Sequence, residues 1–203
     1  MNLSQQVISS NILDKYIADY VVKMSIKKRE EAFLATSLPY ERKYTKMLKK
    51  TFTTQMDEVL GNLQAYKSKA LADTVVDWNK YRIIYNEFGQ LLLPEAMQDW
   101  GNQELEALEL GISLDMENPN VRAAIMNRSN MFADSVVNTT RDWLHVVLTD
   151  NINLGPYGLA KKIREIYPEM SKSSSIRIAR TETIWAMNEG AVQGYTQSGV
   201  IAE

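Results

Sequence analysis

A chain of 203 residues with 45% apolar side chains is long enough to bury a core of its own. Its formal charge of −2 excludes the strong basic surplus of a protein that coats nucleic acid. Cysteine is absent, which excludes disulfides and thiolate zinc sites and fits a reducing compartment. The opening residues, MNLSQQVISSNILDKY, lack the basic-then-apolar order of a signal peptide, and no apolar run reaches the roughly 20 residues of a membrane span. The expected location is the cytoplasm.

From Ile8 to Phe33, apolar and aromatic residues recur every four positions (Ile8, Ile12, Tyr16, Tyr20, Met24), which predicts a helix. Leu38-Pro39 predicts a break, because proline disfavours helix in the residue before it. A second helix is expected from about Tyr40 to Ala70, striped by Tyr44, Met47, Leu48, Phe52, Met56, Val59, Leu63 and Tyr66 with lysines opposite. That stripe is either core or a docking seam for a partner. A third helical region covers Leu71–Phe88, interrupted by Gly89. Pro94 is expected near the start of the next element, and Gly101 and Gly111 divide Pro94–Glu117 into one or two short helices.

Asn118-Pro119 is a start signal, an N-cap side chain with proline at the first helical position. The helix it opens is expected to reach about Leu148, with Val121, Ile125, Phe132, Val136, Thr139, Trp143 and Val146 on one face. A turn at Asn151–Pro156 leads to a short helix with Leu159, Ile163 and Ile166 inward, ended near Pro168. The final helix is expected over Ser171–Gly199: serines supply its N-cap, and Gly199 with Val200 supplies a Schellman-type end. Along it Ala179, Thr183, Ala186, Gly190 and Gly194 fall three or four apart, so a partner backbone could approach that face closely. No period-2 strand is visible. The fold class is therefore mainly α, built of long amphipathic helices with a C-terminal helical module and little or no strand.

Charge is uneven. Residues 23–50 hold nine Lys/Arg against three Glu, and residues 94–117 hold seven Asp/Glu with no Lys/Arg. Two solvated helix faces explain this most simply. The sharper alternative is a basic arm of Lys23, Lys27, Lys28, Arg29, Arg42, Lys43, Lys46, Lys49 and Lys50 that touches DNA or an acidic partner.

Reactive constellations are hard to find. His145 is the single histidine and sits beside Trp143 and Val146-Val147, as a packing residue would. Gly155-Pro-Tyr-Gly158-Leu-Ala-Lys161-Lys162 lacks the spacing and the Ser/Thr of a phosphate loop. The serines at 171–175 have no neighbouring histidine and no nucleophile elbow. Glu182 and Glu189 share a helix face, but seven residues rise about 10 Å, beyond the roughly 5–9.5 Å of glycosidase carboxylate pairs. No catalytic residue, cofactor site or metal site is assigned, and no enzyme activity is expected.

A resemblance adds to this reading. Arg177, Ala179, Arg180, Thr181, Glu182, Thr183, Asn188, Gly190, Tyr195, Ser198 and Gly199 together resemble the signature of the phage Mu F-like family, the minor head or head morphogenesis proteins of tailed phages. Upstream, Asn118-Pro119-x-Val121, Val137-Asn138-Thr-Thr140, Leu144, Gly155 and Leu159-Ala160-x-x-Ile163 are similar to the family pattern in the same order. The likeness covers about residues 94–203, leaving residues 1–93 as an N-terminal long-helix region and docking arm. It implies a virion protein, a minor capsid component at the portal vertex. The partners implied are the portal protein and inner capsid, with phage DNA as a further one, acting in head assembly and in DNA packaging, delivery or ejection. It implies no membrane in the assembled head and no small-molecule substrate. In similar proteins Ser-Gly-Val is followed by a Trp- and Asp-containing segment, whereas here Ile201-Ala202-Glu203 follows, so the module is expected to be incomplete at its C-terminus. The alternatives are a DNA-binding protein using the basic arm and, less favoured, an enzyme using Glu182.

Overall fold

The computed structural model describes residues 26–65 and 72–201. The expected stripe from Ile8 to Met24 lies outside the described residues, as do Lys23 and Tyr66. Among those described, 89% are helical and none is strand. The protein is mainly α, as its spacing predicts. The elements are α1 (Ile26–Ala65), a single turn α2 (Ala72–Val75), α3 (Trp78–Ala107), α4 (Pro119–Asp150), a 3-10 turn at Ile152–Leu154 and α5 (Gly155–Gln197). No helix among the described residues is long and apolar enough to cross a membrane.

Several expected boundaries are absent. α1 contains Pro39, α3 contains Pro94, and α5 contains Pro168. Each proline removes one ladder hydrogen bond, at a cost of about 3 kcal/mol in an unsupported helix. Tertiary contacts on both sides offset that cost. Before Pro39, Phe33 packs edge-on against Trp100 at 5.0 Å and Thr36 bonds Gln103; just after it, the Tyr40 hydroxyl donates to Asp99. Around Pro168, Ile163, Tyr167, Ser171 and Ser175 are all buried. The serine run is thus mid-helix rather than an N-cap. Ser175 and Ser173 turn their hydroxyls back onto the carbonyls of Ser171 and Glu169, at 2.6 and 3.0 Å.

Gly89 and Gly101 also lie inside α3 rather than ending helices. An added Cβ on Gly89 would sit 2.6 Å from Ser129 Oγ, so this glycine lets α4 approach. Other signals hold. Asn118 Oδ1 accepts the Asn120 amide at 2.8 Å, capping α4 at Pro119. At the far end Gly199 has φ 74°, the Val200 amide bonds Tyr195 O at 3.0 Å and the Gly199 amide bonds Thr196 O at 3.1 Å. Those two bonds are the Schellman pattern.

The chain divides into two compact units, and all four long helices contribute residues to both. The first takes residues up to 40, 93–124 and 181–203. Its core includes Trp100, Met97, Leu105, Leu114, Val121, Ala186 and Met187. The irregular stretch after α3 turns through positive φ at Glu109 and Gly111. It is held by Asn102 Oδ1 accepting the Leu114 amide at 2.7 Å and by Gln197 bonding the Asp115 backbone.

The second unit takes residues 41–92 and 125–180. Its centre is aromatic. Tyr85 lies 5.9 Å from Phe52 and 6.1 Å from Phe132, and Trp143 lies 5.6 Å from Tyr167. The Tyr167 hydroxyl donates to Phe52 O at 2.6 Å. Tyr44, Leu48, Phe52, Met56, Val59 and Leu63 are buried here, so this part of the α1 stripe is core and not a free docking seam. On α4, Phe132, Val136, Thr140, Leu144 and Val147 face inward, whereas the expected Thr139 and Val146 are exposed.

Candidate functional site

The Arg-Thr-Glu-Thr stretch occupies the middle of α5. Two turns of helix place its side chains in different surroundings. Arg177 is exposed, while Ala179 is fully buried. Arg180 reaches Glu41, with Nε 3.3 Å from Oε2, in a pair whose arginine is 61% exposed. At that exposure the pair contributes at most about 1 kcal/mol. Thr181 is exposed and Glu182 half-buried. Thr183 is buried, and its hydroxyl has no hydrogen-bond partner.

In the first unit the small residues of α5 meet α3. A Cβ on Gly190 would lie 2.1 Å from Met97 O, and one on Gly101 would lie 2.8 Å from Gly190 O. Here backbone touches backbone, and only glycine permits it. Gly194 is tight rather than blocked, with Leu105 Cγ at 3.3 Å. The close-approach partner expected for this face is therefore a helix of the chain itself.

Glu104, on α3, is 1% exposed and is met from two sides. The Arg29 guanidinium grips both its oxygens through Nε and Nη2 at 3.1–3.3 Å, and the Tyr195 hydroxyl donates to Oε2 as well. A buried carboxylate is tolerated only with such partners. Arg29 thus belongs to a structural node as well as to the basic arm. Sequence reading passed over Glu104. Its signal was a charge at inward spacing, between Trp100-Gly101 and Leu105-Leu108.

The remaining predicted residues are spread along helix surfaces. Lys27 and Lys28 are exposed in the first unit, and Arg42, Lys43, Lys46, Lys49 and Lys50 are exposed in the second. Asn188 is exposed and, with Phe33, Leu34 and Trp100, lines a groove of ≈ 490 Å³ in the first unit. Ser198 bonds Tyr195 O at 2.9 Å and so helps close the end of α5. Glu189 accepts from Gln193 at 2.8 Å. His145 is exposed. No group of three or more His, Asp or Glu is gathered for a metal among the described residues.

The titration of the second unit is dominated by burial. It pushes the Tyr85 and Tyr167 hydroxyls far above their ordinary range, so both stay protonated donors. Glu58 behaves differently. Burial would raise its carboxyl, but Lys80 at 2.5 Å, the Asp77 amide and the Tyr81 hydroxyl outweigh that and hold it below its ordinary value.

No protein-family model, curated protein or solved structure matches the chain. The geometry of the chain joins elements far apart in sequence. What it brings together is packing chemistry: a backbone contact at Gly190, a gripped carboxylate at Glu104 and a closed helix end at Gly199.

Proposed function

We propose that this chain is a structural protein of the tailed-phage head. It is a minor capsid component of the phage Mu F-like type, associated with the portal vertex and acting in head assembly and in DNA packaging or delivery. One observation carries the reading: in the stretch Arg177–Gly199, whose residues resemble that family's signature, the small residues are set into the core and none of the charged ones is gathered into a reactive cluster among the described residues. Thr183, Ala186 and Gly190 are buried, Tyr195 serves Glu104, and Gly199 ends the helix. A motif used for packing supports an architectural role over a catalytic one. On this reading the chain resides in the virion and is made in the bacterial cytoplasm. Its partners are the portal and inner capsid, and it needs no cofactor. Co-expression with the portal protein of the same genome tests it. Retention of the intact chain on tagged portal through high salt is expected, and clean absence from both portal and purified virions overturns the reading.

A DNA-binding role has a specific observation of its own. Arg42, Lys43, Lys46, Lys49 and Lys50 are all exposed along one helix, opposite its buried stripe. Phosphate-driven binding must weaken with salt, with a slope of log affinity near −0.9 per phosphate neutralised. Affinity for duplex DNA that is flat between low and moderate salt removes this second reading.

A further inference from the structure

In the second unit, α4 and α5 enclose a cleft of ≈ 110 Å³. Ser135 and Thr139 line it from α4, one turn apart, and Ser174 and Arg177 line it from α5. Residues so spaced share one side of a helix, so two polar rows face each other across the opening. Trp143, Val136, Ile178 and Phe52 supply the apolar lining. Thr140, also at the cleft, is already committed, because its hydroxyl donates to Val136 O at 2.8 Å. The others are not. Among the described residues Arg177 has no acidic partner, Ser135 and Thr139 have no hydrogen-bond partner, and Ser174 makes only a 3.6 Å contact to Met170 Sδ.

A cationic fork with three uncommitted hydroxyls above an apolar lining has a definite complement. Guanidinium pairs best with a planar oxyanion that accepts two parallel bonds. The volume equals the share of about three or four waters, enough for a carboxylate on a short stem but not for a nucleotide. A single guanidinium also falls short of the several cations that a phosphate backbone engages. We propose that this cleft binds a carboxylate on a short hydrocarbon stem, presented by a partner polypeptide. Arg177 and the hydroxyls of Ser135, Thr139 and Ser174 hold its oxygens, while Trp143, Val136 and Ile178 cover the stem. An acidic side chain and a free chain terminus are two sources of the same group. The assignment is independent of the head-protein reading, since its probes contain no phage component.

Butyrate titrated into the full chain, read at the ¹⁵N indole resonance of Trp143, tests the site. A saturable shift is expected, with none from the neutral isostere butanamide. Arg177→Gln is expected to weaken butyrate binding by about tenfold or more, the scale of a lost charge-assisted bond, and Arg177→Lys to retain part of it. If Arg177→Gln lowers the thermal midpoint, Thr139→Val on the opposite wall serves instead. A peptide with an internal Glu and an amidated end, set against one with a free carboxyl end and no acidic residue, identifies the source. An equal response to butanamide, an unweakened Arg177→Gln or an equal response to inorganic phosphate overturns the carboxylate assignment. Binding of butyrate but of neither peptide overturns the polypeptide partner.

Discussion

The two units solve the packing of long helices in opposite ways. In the second, the space between helices is filled by rings: Phe52, Tyr81, Tyr85, Phe132 and Tyr167 are buried together, and polar ends such as the Tyr167 hydroxyl find carbonyls. In the first, space is removed instead, because Gly101 and Gly190 let α3 and α5 touch through their backbones. The difference teaches where each is fragile. A ring-filled core loses stability with what is cut away, because its neighbours relax only partly into the gap. A backbone contact cannot relax, so it tolerates deletion and not addition.

Substitutions can break that comparison at either end. The largest expected effect is Phe52→Ala, which removes a buried ring and should cost about 3–5 kcal/mol in urea unfolding. Gly190→Ala adds a single methyl yet should cost about 3 kcal/mol, the top of the usual overpacking range, since the Cβ meets Met97 O. A Gly190→Ala chain as stable as the wild type would refute the backbone-contact account. Thr183→Val replaces a buried, unpartnered hydroxyl by an isosteric methyl. It should stabilise by up to about 1 kcal/mol, and a thermal melt reads the sign. Gly194→Ala should stay within about 0.5 kcal/mol of wild type, because strain against Leu105 opposes roughly 1 kcal/mol of helix propensity.

The smallest effect is electrostatic and belongs to the second unit. Glu58 has a folded pKa below its unfolded value. Its contribution is therefore present above the ordinary carboxylate range and is lost as pH falls through the depressed value. Urea midpoints measured from pH 6 down to pH 3 should fall less steeply for Glu58→Gln than for wild type. Equal slopes would show that Lys80 and the Asp77 amide do not favour the ionised form.

Much of the fold was legible, and the failures share one cause. Spacing along Tyr44–Leu63 marks the buried face of α1, Asn118-Pro119 marks the start of α4, and Gly199-Val200 marks the end of α5, because each is decided within a few residues. Pro39, Pro94 and Pro168 read as boundaries for the same local reason. Their helices continue because distant residues overrule the local preference, as Trp100, Gln103 and Asp99 do around Pro39. The serines of 171–175 were ambiguous in themselves, since the hydroxyl that caps a helix start also bonds the carbonyl four residues back. Gly190 was legible as a close-approach position, but its partner was not, for nothing in the local pattern points to Met97. The cleft at Arg177 was similarly invisible: its two walls lie some forty residues apart in sequence and neither is unusual alone.

The grip of Arg29 and Tyr195 on Glu104 has a consequence for synthesis. Arg29, Glu104 and Tyr195 leave the ribosome in that order, separated by 75 and then 91 positions. Until Tyr195 emerges, the carboxylate has lost one of its partners and the Gly190 face of α5 has not yet reached Met97. The second unit draws only on residues up to 180 and can close earlier. A released chain ending at residue 180 should thus protect the aromatic cluster from proteolysis while leaving the first unit open. The helix around Arg29 must therefore remain available until Tyr195 has been added, because only then is the setting of Glu104 complete.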